Sequence, residues 1–307
     1  MNPGKWALAL GPGTDEGGGR GRPRGGERTG SGRGGVVEQY QQQDIETGPW
    51  HSLRRVRETR PLVHVITSFV AADLTANLLL SAGARVVMAE DKAEAEDFVA
   101  LADALCLHLG ILTADRVEPM VAAARFAVEL GRPWVLDPVG IGASAERRSL
   151  ATRLSGLQPT VIRGNAAEIL AMAEGEAAPI AGVDSPVDSA EALDAAHDLS
   201  RSTGALVAVS GSVDYVTDGS RLAAVANGHH LMTRVAGVGC ALSALMAACC
   251  TVEEDALEAA SHALAIVGLA GELAAEEASG PASFRMSLID RLYSLDQDSL
   301  EAGARIQ

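Results

Sequence analysis

Between Leu62 and Val225, short apolar and β-branched runs alternate with longer stretches whose apolar positions recur every three or four residues. The first pattern predicts strands and the second amphipathic helices. Strands are predicted at Leu62–Thr67, Val86–Met88, Leu105–Leu109, Trp134–Leu136, Val161–Ile162 and Ala205–Ser210. Helices are predicted over Ala72–Ala82, Ala93–Ala104, Thr113 to Leu130, from Asn165 onward, and Ala190–Ser202, with Gly83 and Gly131 as C-terminal stops. Strand–helix alternation of this kind calls for a parallel sheet with right-handed crossovers. Tyr215–Thr217 and Leu222–Val225, with the turn pairs Asp218-Gly219 and Asn227-Gly228, predict an antiparallel meander. From Cys240 to about Ala278 the chain reads as nearly all helix, with a short last helix from Ser283. The expected fold class is a three-layer α/β/α domain, its central sheet mostly parallel with an antiparallel edge.

Composition refines this. Apolar residues make up 47% of the 307 and aromatics 3%, so the core has to be built from Ala, Val, Leu and Ile. Thirteen of the 33 glycines, six cations and four carboxylates fall in the first 40 residues. Residues 1–48 therefore read as a disordered Gly/Arg-rich tail and 49–307 as the folded domain. The net charge of −15 argues against nucleic acid or an anionic membrane as partner, though not against a nucleotide held by a local pocket. No run of about eighteen apolar residues is apparent, so no membrane span is expected. Trp6–Leu10 is too short for a secretory signal. Cys106, Cys240, Cys249 and Cys250 have no zinc spacing; Cys106, Cys249 and Cys250 read as small buried hydrophobes of a reducing, cytoplasmic compartment, and Cys240 is a separate case.

Open α/β sheets bind ligands at the carboxyl ends of their strands. Those ends carry Thr67-Ser68, Met88, Gly110, Asp137-Pro138, Arg163-Gly164-Asn165, Ser210-Gly211 and Gly237-Val238-Gly239-Cys240. There is no P-loop and no dinucleotide fingerprint. A phosphate site is expected instead where Gly237–Cys240 opens an apolar helix, because free N–H groups and the helix dipole favour an anion there. Proline after Asp137 holds that carboxylate on extended backbone, presented at the rim. Asn165 and Glu168 have capping-box spacing, which leaves Glu168 two readings: a helix cap, or a partner of Asp137 in holding Mg²⁺ through water.

Taken in order, Pro61–Thr67, Thr75–Asn77, Val87–Ala89, Leu136–Gly140, Ile162–Glu168, Asn227–His229 and Gly237–Cys240 resemble the hydroxyethylthiazole kinase family of the ribokinase-like superfamily. The resemblance runs from about residue 50 to the end. It implies ATP-dependent phosphorylation of the hydroxyl of hydroxyethylthiazole, in thiamine salvage. It also implies ATP contacts from Arg163 and Ser210, magnesium at Asp137 and Glu168, and a thiazole pocket lined by Met88 and Gly237. Cys240 would face the reacting hydroxyl, where most superfamily relatives carry Asp. A homotrimer with its substrate site at subunit interfaces is implied as well.

Two segments depart from the family pattern. Ser68-Phe69 stands where an Asn pair is usual, which puts the exact heterocycle at Ser68 in question, and His108-Leu-Gly-Ile111 replaces Asn-Ile-Gly-Thr. A kinase for another hydroxyalkyl heterocycle, a nucleotide-repair dehydratase and a non-catalytic binding paralogue remain alternatives. Joint retention of Asp137, Arg163, Glu168 and Cys240 counts against the last. The Cys240 thiol is pulled both ways: a helix N-terminus lowers its pKa and a bound triphosphate raises it.

Overall fold

A computed structural model describes residues 47–91, 93–175 and 187–307. Apart from Thr47 and Gly48, the expected Gly/Arg-rich tail lies outside the described residues. The chain runs α1 (Pro49–Thr59), β1 (Leu62–Ile66), α2 (Phe69–Ser81), β2 (Arg85–Val87), α3 (Ala95–Leu101), β3 (Ala104–His108), α4 (Ala114–Glu129), β4 (Trp134–Asp137), α5 (Ala145–Ser155), β5 (Val161–Asn165), α6 (Ala166–Glu174), α7 (Leu193–Thr203) and β6 (Leu206–Ser210). It continues through β7 (Asp214–Thr217), β8 (Leu222–Val225), α8 (Val238–Cys249), α9 (Ala256–Glu277), α10 (Pro281–Ser294) and α11 (Gln297–Gly303). The eight strands form one sheet in the order β2-β1-β3-β4-β5-β6-β7-β8. Pairing is parallel as far as β6 and antiparallel for β7 and β8.

Strand side chains alternate between two buried clusters, as a sheet covered on both faces requires. Val63, Val65, Cys106, Val135, Val161 and Ala208 face α1, α2, α8, α9 and α10. Leu105, Leu107, Trp134, Leu136, Ile162 and Val207 face the side of α4 to α7. The same alternation puts His108, Asp137 and Arg163 on the α8 side at the strand ends.

Several boundaries differ from the sequence reading. The helix expected over Ala93–Ala104 ends at Leu101, because Asp103 pairs with the start of β1: its carboxylate accepts from Leu62 N (2.8 Å) and its N–H donates to Leu62 O (2.8 Å). The helix expected from Ala72 starts at Phe69. The all-helical stretch breaks after Cys249 and restarts at Asp255, whose side chain caps α9 by accepting from Leu257 N. That helix also corrects the expectation about apolar length. Ala256–Glu277 is long and apolar enough by composition to cross a membrane, but 72% of its apolar window is buried, as befits a core helix.

Candidate active site at the strand ends

Adjacent parallel strands bring scattered positions together. His108 and Asp137 are register partners on β3 and β4, and Arg163 lies one strand further on. The N-terminus of α8 sits over them. Ser243, one turn into α8, donates its hydroxyl to Asp137 Oδ2 (2.8 Å), with Gly239 O at 3.2 Å as the alternative acceptor. Arg163 Nη1 is 3.7 Å from Asp137 Oδ2, and Arg163 Nη2 donates to Ser210 Oγ (2.8 Å). A Cβ on Gly239 would lie 2.6 Å from Arg163 Nη1, so a glycine is what lets the guanidinium run under the helix terminus. The first backbone bond of α8 runs from Ala241 N to Gly237 O (2.9 Å), leaving the N–H groups of Val238, Gly239 and Cys240 without intrahelical acceptors.

Burial dominates the electrostatics. Asp137 is fully enclosed, and loss of solvent raises its pKa while Arg163 and Ser243 pull it down. Its Oδ1 has no partner among the described residues. Glu168 is also raised by burial, and further by Asp137. Both of its oxygens are engaged: Oε1 accepts from Gly140 N and Oε2 from Asn165 N, each at 2.9 Å. Asn165 Oδ1 in turn accepts from Glu168 N, so the capping box is present. Burial, then the Asp137 carboxylate, pushes the Cys240 thiol far above its ordinary pKa. The Cys240 backbone N–H pulls the other way but is the weakest of these influences, so the thiol keeps its proton at pH 7.

The structure does not gather Met88, Ser68 and Gly237 into one pocket: Gly237 is the N-cap of α8, and neither it nor Ser68 lines the Met88 cleft. Met88 lines a cleft of about 610 Å³ with Thr67, Phe69, Glu90, Asp115 and Arg116. Ser68 is buried against Gly110, where a Cβ would meet its side chain at 2.8 Å. Gly237 has φ +92° and faces Ala71, whose Cα would be 3.1 Å from a Cβ there. A larger cavity, about 720 Å³, lies at the opposite end of the sheet beside Thr160 and Leu206, away from this chemistry.

Some contributors were not legible beforehand. Arg116, in the first turn of α4, donates to Thr67 O and Ile111 O (both 2.9 Å), pairs with Glu90 and lies 5.5 Å from the Phe69 ring centre. Arg147, on the unforeseen α5, ties the carbonyls of Leu109, Gly110 and Val139. Nothing in local periodicity marks either arginine. Ser243 was accessible from helical spacing, since it stands four residues after Gly239. Together the set can hold a polyanion between Arg163 and the α8 terminus, beside a buried carboxylate with an unused oxygen and a neutral thiol.

The hydroxyethylthiazole kinase family model matches residues 53–298. Hydroxyethylthiazole kinase of Cereibacter sphaeroides is 49% identical over 257 residues, covering 83% of this chain and 97% of the relative. The Arabidopsis thaliana enzyme of the same name is 44% identical over 261 residues, 85% and 95% of the two chains. The solved structure of the hydroxyethylthiazole kinase protein from Pyrococcus horikoshii OT3 superposes with a TM-score of 0.78 at 40% identity, over 84% of this chain and 98% of that one.

Proposed function

The chain belongs to the hydroxyethylthiazole kinase family, and we propose that it transfers the terminal phosphoryl group of ATP to the hydroxyl of hydroxyethylthiazole, serving thiamine biosynthesis by salvage. The observation that carries this reading is the assembly of Asp137, Arg163, Ser210 and Cys240 around one helix N-terminus on a sheet of ribokinase-like order.

Phosphoryl transfer asks mainly for positioning and charge stabilisation. Arg163, aligned by Ser210, binds the phosphates. The free N–H groups of α8 face the transferring group. Cys240 stands at the alcohol as a neutral polar neighbour, since its buried thiol keeps its proton. Asp137, with its unpartnered oxygen, would hold Mg²⁺ through water, with the backbone-engaged Glu168 adding negative charge behind it. Bound there, the ion would neutralise phosphate charge. Met88, Ser68 and Gly237 would border the heterocycle. The exposed Phe69 (76%) and Val70 (64%) beside the Met88 cleft support a homotrimer that closes the site with a second copy. Four free cysteines fit action in the cytoplasm.

Asp137→Asn and Arg163→Ala are each expected to lower kcat/KM by about two orders of magnitude or more, the scale of losing one preorganised charge. Cys240→Ala should cost only about one order. Unchanged kinetics in the first two variants would move the phosphate site elsewhere.

A further inference from the structure

His108 is absorbed by none of the roles above. It is almost wholly buried, beside Arg163 and within hydrogen-bonding reach of the Cys240 backbone. Its Nε2 lies 3.2 Å from Cys106 Sγ and 3.9 Å from Asp137 Oδ2, while its Nδ1 has no partner among the described residues. Across the same space stands Cys240. One donor atom each from His108, Asp137 and Cys240 lie within 4.8 Å of one another.

We infer that His108, Asp137 and Cys240 form a site for a divalent transition ion of the Zn²⁺ and Co²⁺ class, distinct in chemistry from the magnesium of the kinase reaction and blocking that reaction when filled. A tetrahedral ion with bonds of about 2.0–2.3 Å needs donors about 3.3–3.8 Å apart, so the side chains have to close by about 1 Å. The Asp137 oxygen without a partner is nearly solvent-free, a place where an unmade bond is costly and a ligand bond most rewarding. The nitrogen, sulfur and oxygen donors select for a borderline-soft ion. Magnesium prefers six oxygens and retains its waters. Binding converts the Cys240 thiol to a metal thiolate and releases its proton to solvent. Arg163, 3.7 Å from Asp137, opposes a cation, but the Asp137 and Glu168 carboxylates and the new thiolate outnumber it. Occupancy takes Asp137 and Cys240 away from the proposed nucleotide and alcohol positions.

The test is titration of the chelator-treated, full-length protein with Co²⁺ alone, read by absorption. One equivalent is expected to produce a thiolate-to-cobalt charge-transfer band with visible bands of four-coordinate intensity. His108→Asn and Cys240→Ser should each weaken cobalt binding by about tenfold or more, the lower bound for a lost ligand. In the coupled kinase assay, the Zn²⁺ concentration giving half-inhibition should rise by a similar factor in His108→Asn. Thermal melting of the metal-free variants checks folding, and if one melts early the other decides. No thiolate band in the wild type, or a band that persists in a folded variant, would overturn the inference. The cobalt spectrum needs neither ATP nor an alcohol, so its failure leaves the kinase reading standing.

Discussion

His64, on β1, is fully buried, its Nε2 donates to Ala89 O (2.8 Å), and burial lowers its pKa below the ordinary 6.5. The unfolded chain takes up this proton as pH falls through about 6.5 while the folded chain resists it. Stability from the neutral ring is therefore complete above that pH and lost below it, at up to about 1.4 kcal/mol per pH unit. His64→Gln keeps an amide donor for Ala89 and cannot titrate. Urea denaturation at pH 7 and pH 5 should show the wild type losing more stability than the variant. Asp137 and Glu168, with raised values, act in the opposite sense but equally in both proteins. Parallel losses would contradict a neutral buried His64. Asp137, Ser210 and Cys240 were readable because each ends a strand or opens a helix, and Arg163 because the apolar run Val161–Ile162 stops before it, although β5 itself continues to Asn165. The burial of His64 and His108 was not, since an isolated histidine in an apolar run carries no sign of which face it takes.

At the scale of elements, the α8 terminus depends on two glycines for different reasons. Gly237 is left-handed, with Ala71 backbone 3.1 Å from a would-be Cβ, so Gly237→Ala should lose about 1–3 kcal/mol of stability. At Gly239 a Cβ would meet only the mobile end of Arg163, at 2.6 Å. Gly239→Ala should therefore fold normally and lose about tenfold or more in kcat/KM by displacing that guanidinium. Thermal melting beside steady-state kinetics separates the two, and a destabilised but fully active Gly239→Ala would show that Arg163 is not held for function. The parallel pairing and the antiparallel edge were legible from β-branched runs, helix spacing and the Asp218-Gly219 turn, whereas Asn227-Gly228, expected as a second turn, leads out of β8 to no further strand among the described residues. Polar α5, with Leu150 and Leu154 as its large buried apolar residues, offered too weak a stripe. The Leu101 end of α3 depended on Asp103 reaching Leu62, a contact across 41 positions that no local window contains.

For the whole molecule, Phe69 and Val70 leave apolar surface at the mouth of the Met88 cleft in a chain of net charge −15. Covering that surface with a second copy would complete the heterocycle pocket. If the proposed trimer forms through this surface, Phe69→Asp should shift sedimentation toward monomer and reduce turnover together, because a charge buried in an interface core is costly. An active wild-type monomer would remove the shared-site reading. Such assembly is invisible to periodicity and enters the sequence reading only by resemblance.

The most direct measurement is ADP release by the purified chain at saturating ATP and Mg²⁺, with and without hydroxyethylthiazole, alongside mass detection of the phosphate ester. Other hydroxyalkyl heterocycles run in parallel, since Ser68-Phe69 is where acceptor choice is most exposed to change. Saturable, thiazole-dependent ADP release with one ester formed per ADP, strongly reduced in Asp137→Asn, is the expected result. ADP release indifferent to the thiazole, or a different heterocycle turned over with clearly higher kcat/KM, would contradict it.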